Sequence, residues 1–442
     1  MTYSKVIGLL VSAHTVKLSG GIGTFIRSTY NVCEEHNWKL VVITDKAPNT
    51  EGFEGIEFIY PSKPLPNNKH QESFPFDDSF SFEKGANMRE ALLKAHGKYL
   101  FDAIIANNLE AYMVGYFSGL CDVMPLMYYT HDTVAYVEKN NSPFIDSYHS
   151  INNLIYKLPD ILIATHTKES TKFLKERKGV ESVALPIVID TKAFFDIDVS
   201  SKRNGVLFIG TNDDRKNFKE FLRFCTDNNE DMLILTSSAS KRRMEKVISD
   251  SPFKGKVQFL TDSIGEDKVH FLSKAKYSYV PSKDETFGLS VLEAMYSCPT
   301  IVADRYYTRF HSTEYDIVVK TDNDAEDIQK VLAVDMKLQQ KSMLEVYHRW
   351  VKEWETSINY VREQYGHKST KLFDEIGFDS ISVSDYLFEL KNRVNVSFSD
   401  LYPLYNQFDS LHPVHTSNGT VLTKDGNIGN TYTNTSALDE WM

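Results

Sequence analysis

Short apolar runs alternate with stretches of helical period along most of this chain. Lys5–Val11, Lys39–Thr44, Ile56–Tyr60, Asp102–Ala106, Met127–Tyr129 and Asp160–Ala164 read as buried strands. Between the first two, Ile22, Ile26, Tyr30 and Cys33 recur at helical spacing. The pattern restarts further on, with strands expected at Val206–Ile209, Met232–Leu235, Val257–Leu260, Tyr277–Val280, Thr300–Ala303 and Ile317–Val319. Phe218, Phe221, Leu222 and Cys225 mark one helix among them. Strand–helix alternation in both halves predicts an α/β protein with two open parallel sheets. Tyr347, Trp350, Trp354, Ile358 and Val361 then form the apolar stripe of a long helix, read as packing.

With 442 residues the chain exceeds one comfortable core, so two domains are expected. The expected boundaries are 1–198 for an N-terminal Rossmann-like domain and 203–342 for a second one, joined by the polar stretch 196–204. Residues 343–375 are expected to return as helices to the first domain, and 376–442 form a partly irregular extension. In that extension a helix is expected near Ser384–Arg393, and 416–436 reads as a hairpin or disordered segment.

Composition narrows the class of protein. Apolar residues make up 42% and charged residues 25%, as in a soluble globular chain. Four cysteines, Cys33, Cys121, Cys225 and Cys298, show neither metal spacing nor a disulfide framework. No apolar run approaches a membrane span and no signal peptide is visible, so a cytoplasmic setting is expected. The net charge of −11 argues against a broadly basic nucleic-acid binder. The densest basic run, Lys241-Arg242-Arg243 with Lys246, reads as a solvated helix face. The polar stretch 61–85 is a long connection, of a kind usually either functional or disordered, and a functional one in this position would line the acceptor side.

Candidate chemistry gathers where strands end. After the first strand come Gly20, Gly21 and Gly23, glycines that let backbone approach a ligand, although not at dinucleotide-fingerprint spacing. His131-Asp132 closes the strand at Tyr129; the histidine reads either as a satisfied core group or as a hydrogen-bonding group at the sheet edge. Arg215 and Lys216 follow a strand and open a helix, where an anion such as a diphosphate would offset their desolvation. Glu285 and Glu293 lie eight residues apart after the strand Tyr277–Val280. Helical geometry would place them about two turns apart along one elongated ligand. Helix capping and a solvated helix face are the alternative readings.

The full run Pro281-Ser282, Glu285-Thr286-Phe287-Gly288, Glu293-Ala294-Met295 and Cys298-Pro299-Thr300 resembles the donor-binding motif of retaining GT-B glycosyltransferases. These form the family 4-like group that includes sucrose and glycogen synthases. Cys298 stands where the family has glycine. The resemblance spans about residues 5–365 and implies two Rossmann-like domains facing a central cleft, with a C-terminal helical crossover. It implies a UDP- or GDP-sugar donor, retention of anomeric configuration and neither cofactor nor bound metal. In it, Glu285 contacts the transferred sugar, Glu293 the ribose, Lys216 the diphosphate and His131 the reacting sugar. Gly20, Gly21 and Gly23 face the donor, and Phe287, Gly288 and Leu289 hold it. His131, Glu285 and Lys216 would be catalytic. Thr211 occupies the family arginine position, with Arg215 the candidate replacement. The acceptor stays open: a saccharide, a lipid-linked or other glycoconjugate, or DNA. For the last, Tyr129–Asp132 and Gly210–Phe218 look similar to bacteriophage α-glucosyltransferases that modify 5-hydroxymethylcytosine. A non-catalytic nucleotide- or glycan-binding protein is the contrasting class.

Overall fold

The computed structural model describes residues 3–17, 21–64, 82–107, 109–117, 124–131, 156, 161–189, 203–283, 285, 287–303, 318–365, 414–415 and 421–422. Gly20, Asp132, Cys121, most of 61–85, the proposed tail helix and nearly all of the extension lie outside them.

The chain forms two compact units, one of Met1–Val16, Cys33–Pro186 and Trp354–Met442, the other of Lys17–Val32 and Ile187–Glu353. The first contains a seven-stranded parallel sheet: β1 (Lys5–Val11), β2 (Trp38–Thr44), β3 (Glu57–Ile59), β4 (Ala103–Ala106), β5 (Leu126–Tyr129), β6 (Leu162–Thr165) and β7 (Ser182–Ala184). Their order is β3-β2-β1-β4-β5-β6-β7. The strands are short apolar runs with little alternation because helices cover both faces of such a sheet. Ile7, Leu9, Val41, Val42, Ile104 and Ile105 are fully buried.

Helix α1 (Gly21–Glu35) follows β1. It begins at Gly21, so Gly21 and Gly23 occupy its first turn, in line with the helical spacing read from Ile22 onward. Next come α2 (Phe82–Lys98), α3 (Leu109–Phe117) and α4 (Lys168–Lys178). Thr167 caps α4 by accepting the Ser170 amide at 3.1 Å.

The second unit holds a six-stranded parallel sheet of β8 (Val206–Ile209), β9 (Met232–Thr236), β10 (Val257–Thr261), β11 (Tyr277–Val280), β12 (Thr300–Val302) and β13 (Val318–Val319). The order is β10-β9-β8-β11-β12-β13. Besides residues 21–32 of α1, its helices are α5 (Phe218–Asp227), α6 (Ser238–Ser249), α7 (Gly265–Ser273), α8 (Leu289–Ser297), α9 (Asp324–Leu332) and the start of α10 (Met336–Tyr365). The periodic residues of α5, Phe218, Phe221, Leu222 and Cys225, pack with Phe208 and Tyr279 in its core. On α6, Arg242, Arg243 and Lys246 are exposed, so that basic run is a solvated face.

The aromatic stripe of α10 is packing. Trp354 is fully buried and donates its indole N–H to the Pro186 carbonyl at 2.7 Å. Ser357 donates to the Ala184 carbonyl at 2.8 Å, and Arg362 pairs with Asp102 at 2.9 Å. All of these partners belong to the first unit. A minimal antiparallel pair, β14 (Val414–His415) with β15 (Val421–Leu422), is the described part of the extension.

Each sheet reverses its winding once, at β1/β4 and at β8/β11. At such a point the two connections leave in opposite directions and open a crevice beyond the carboxyl ends of the strands. In the second unit the segments leaving those ends are 210–217 and 281–288, where the sequence concentrates its charges.

Candidate active site

The 210–217 turn is built around Lys216. Gly210 ends β8, and a Cβ there would lie 3.2 Å from Lys216 Cγ and Cδ. The missing side chain therefore lets the lysine stem lie close over the strand end. Asp213 organises the turn by accepting from Thr211 Oγ1 at 2.5 Å and from the Lys216 amide at 2.9 Å. Burial disfavours its charged form, but these two hydrogen bonds and nearby Arg215 outweigh it and hold the carboxyl below the usual range. Thr211, in the family arginine position, is thus a turn-former. Asn217, with φ 55°, starts α5 from the left-handed region, which asparagine tolerates well.

Two hydrogen bonds fasten this turn to the second segment. Asn217 Nδ2 donates to the Pro281 carbonyl at 3.2 Å, and the Lys283 amide donates to the Arg215 carbonyl at 2.8 Å. Residues about seventy apart in sequence are thereby held in one place. Lys216 Nζ lies 2.5 Å from Glu285 Oε1 and 3.1 Å from Ser290 Oγ. Arg215 Nη1 lies 3.5 Å from Glu285 Oε2. The Glu285 side chain is 4% exposed, that of Lys216 12% and that of Arg215 33%. Two cations thus converge on one buried carboxylate, and Asp213 Oδ1 lies 4.0 Å from Arg215 Nε, so the four charges balance. Such pairs add little net stability, because desolvation offsets most of the attraction.

Gly288 completes the site. Its φ of 87° is strained for residues with a Cβ, and it caps α8. Helix geometry starts only at Leu289, so the two-turn spacing expected between Glu285 and Glu293 does not apply: Glu285 sits in the loop and Glu293 in the helix. Leu289 is half-buried, whereas Phe287 is buried with its ring 5.8 Å from that of Trp350. Glu293 is buried and pairs with Lys268 of α7 at 2.5 Å. Cys298 has φ −156°, extended backbone that any residue adopts, so this turn does not need the family glycine. Its thiol is fully buried, which pushes it up to about 12.

In the first unit, the polar residues at the sheet edge form a separate network. His131 Nε2 is 2.6 Å from Asn107 Oδ1, just past β4. Because that oxygen accepts, the His131 proton sits on Nε2. His166 Nε2 donates to the His131 carbonyl at 2.8 Å, and the Tyr129 hydroxyl lies 2.8 Å from His166 Nδ1. Burial, and then nearby His166, holds the His131 imidazole well below the usual histidine range. It is therefore neutral at pH 7. The sign follows: its contribution to stability is full above the unfolded value of about 6.5 and is lost as pH falls towards the depressed folded value. Denaturation across pH should show stability declining on the acid side, with a shallower decline in His131→Asn. Identical slopes in the two proteins would show that His131 does not titrate on unfolding.

The structure thus brings Arg215, Lys216, Glu285, Gly288 and Leu289 together, with Glu293 on the helix that leaves them. Gly21 and Gly23 lie in α1 and His131 in the first unit's network. Residues missed from sequence are Ser290, Lys268, Asn107 and His166. Asn107 and His166 stand directly after strands, so the rule for strand ends identifies them. Ser290 follows the Gly288 cap by two residues. Lys268 has no local signal.

Residues 190–353 match the family model for glycosyl transferases group 1. No curated protein matches the chain. Among solved structures, the chain is similar to a sucrose-phosphate synthase from Thermosynechococcus elongatus, at 17% identity and a TM-score of 0.58, covering 82% of this chain and 98% of that one. Anabaena HepE in complex with UDP-glucose is similar at 12% identity and a TM-score of 0.53, covering 82% and 98%. An α,α-trehalose 6-phosphate synthase from Burkholderia multivorans follows at 11% identity and 0.51, covering 82% and 97%.

The fold is GT-B, and within it residues 190–353 carry the match to glycosyl transferases group 1. Among the described residues, no helix is long and apolar enough to cross a membrane.

Proposed function

We propose that this chain is a retaining glycosyltransferase that moves a sugar from a nucleotide diphosphate onto an acceptor hydroxyl, the acceptor being a saccharide or other glycoconjugate. The observation that carries the reading is the convergence of Lys216 and Arg215 on buried Glu285 at the β8/β11 switch point. A sugar diphosphate has the charge and the hydroxyls to engage all three groups. In this reading Lys216 and Arg215 bind the diphosphate, and Arg215 replaces the cation absent at Thr211. Glu285 accepts hydrogen bonds from the transferred sugar, and Glu293 from the ribose.

Charge builds on the leaving diphosphate as the glycosidic bond breaks, so the two cations stabilise the transition state more than the ground state. The amides opening α8 add the positive end of its dipole. His131, neutral and fixed by Asn107, offers a hydrogen bond to a sugar hydroxyl. The HepE structures contain UDP and UDP-glucose, which favours a UDP-sugar as the first donor to try.

The test crosses UDP- and GDP-sugars with simple glycans, plain DNA and DNA containing 5-hydroxymethylcytosine, with products read by mass. Transfer to glycans with retained anomeric configuration is expected. Transfer confined to hydroxymethylated DNA would overturn the acceptor assignment. Binding of nucleotide sugars without any turnover would make the chain a binding protein.

A further inference from the structure

Glu293 and Lys268 form an ion pair that the donor reading leaves only half used. Glu293 lies on α8 and Lys268 on α7, separate helices of the same unit. The contact is 2.5 Å, from Lys268 Nζ to Glu293 Oε1, and the side chains are 21% and 10% exposed. Among the described residues, Glu293 Oε2 accepts no hydrogen bond. Lys268 follows Glu266 and Asp267, both exposed, yet its ammonium turns inward to Glu293. Local charge pairing on the helix surface therefore does not account for its direction.

The chemistry of a vicinal diol explains the combination. Each ribose hydroxyl both donates and accepts, whereas an ionised carboxylate only accepts and an ammonium only donates. A carboxylate alone leaves the diol oxygens without donors. A carboxylate with an ammonium against one of its oxygens complements both roles, and each such bond is charge-assisted. We infer that Lys268 is a ribose-binding residue, reading the donor's 2′,3′-diol jointly with Glu293. This rests on the proposed donor role of Glu293 and adds a residue to it.

The test is calorimetric binding of UDP and 2′-deoxy-UDP, with GDP and 2′-deoxy-GDP as a second pair, to the wild-type protein and to Lys268→Met. The wild type is expected to prefer the ribonucleotide of at least one pair by about tenfold or more, as for one or two charge-assisted hydrogen bonds. Lys268→Met should weaken the ribonucleotide by about tenfold and the deoxynucleotide far less, so that the preference collapses. Lys268→Arg, which keeps a cationic donor, should recover part of it, and Lys268→Leu takes the place of the methionine variant if that protein does not fold. Equal weakening of both nucleotides would mean that the lysine only braces α7 against α8, and would overturn the inference. So would a preference left intact. If the wild type binds no nucleotide, the donor reading itself falls, a result separable from either of these.

Discussion

Lys216→Ala is expected to lose donor binding and turnover together, by about 10²- to 10³-fold in kcat/KM. The lysine is the least exposed cation at the switch point, 12% exposed, with its charge committed to Glu285 and Ser290. Removing it leaves Glu285, among the described residues, with the Ser290 hydroxyl at 3.5 Å and Arg215 at 3.5 Å as its remaining cation. The loss therefore combines a missing contact to the diphosphate with a buried carboxylate left short of charge. Calorimetry with UDP-glucose alongside release of nucleoside diphosphate measures the two arms. Lys216→Arg should not restore the wild type, because the Gly210 backbone shapes the space for a linear stem. If both arms are unchanged in Lys216→Ala, this lysine has no place in the diphosphate site.

Glu285→Gln should separate the two arms that Lys216 joins. In the structure, Glu285 pairs with both cations that the proposed donor needs. A diphosphate arriving there competes with a carboxylate, and in the donor complex Glu285 must turn its oxygens to the sugar. The amide removes that competitor and its charge. Free UDP is then expected to bind several-fold more tightly, while kcat falls by about 10²- to 10³-fold, as for loss of one preorganised transition-state contact. Glu285→Ala should lower kcat similarly and affect donor binding less. Turnover at the wild-type level in either variant would remove Glu285 from the sugar subsite. Weaker UDP binding in Glu285→Gln would instead show that the carboxylate organises the cations more than it competes with them.

The architecture was largely legible before any coordinates. Alternating strands and helices, two units and the packing role of Trp350 and Trp354 all follow from apolar periodicity, since a sheet covered on both faces needs continuous apolar strands. The same holds for the solvated face of Arg242 and Arg243. Local backbone detail was less legible. Gly21 and Gly23 suit a loop and a helix start equally well, and α1 starts at Gly21. The break at Gly288, which puts Glu285 and Glu293 in different local geometries, depends on a left-handed φ that glycine permits without announcing.

Sequence by itself determined the residue types at the strand ends: two cations after β8, a carboxylate after β11, a histidine after β5. That follows because side chains at strand ends are placed by the strands, and strands declare themselves through hydrophobicity. Only the tertiary structure decided which of these meet. The contact of Lys216 and Arg215 with Glu285 spans roughly seventy residues and exists because the order β9-β8-β11-β12 sets two distant loops side by side. Lys268 with Glu293 and His131 with Asn107 arise the same way. Charge pairing of this kind is carried by strand order and helix packing, which no local pattern of residues encodes.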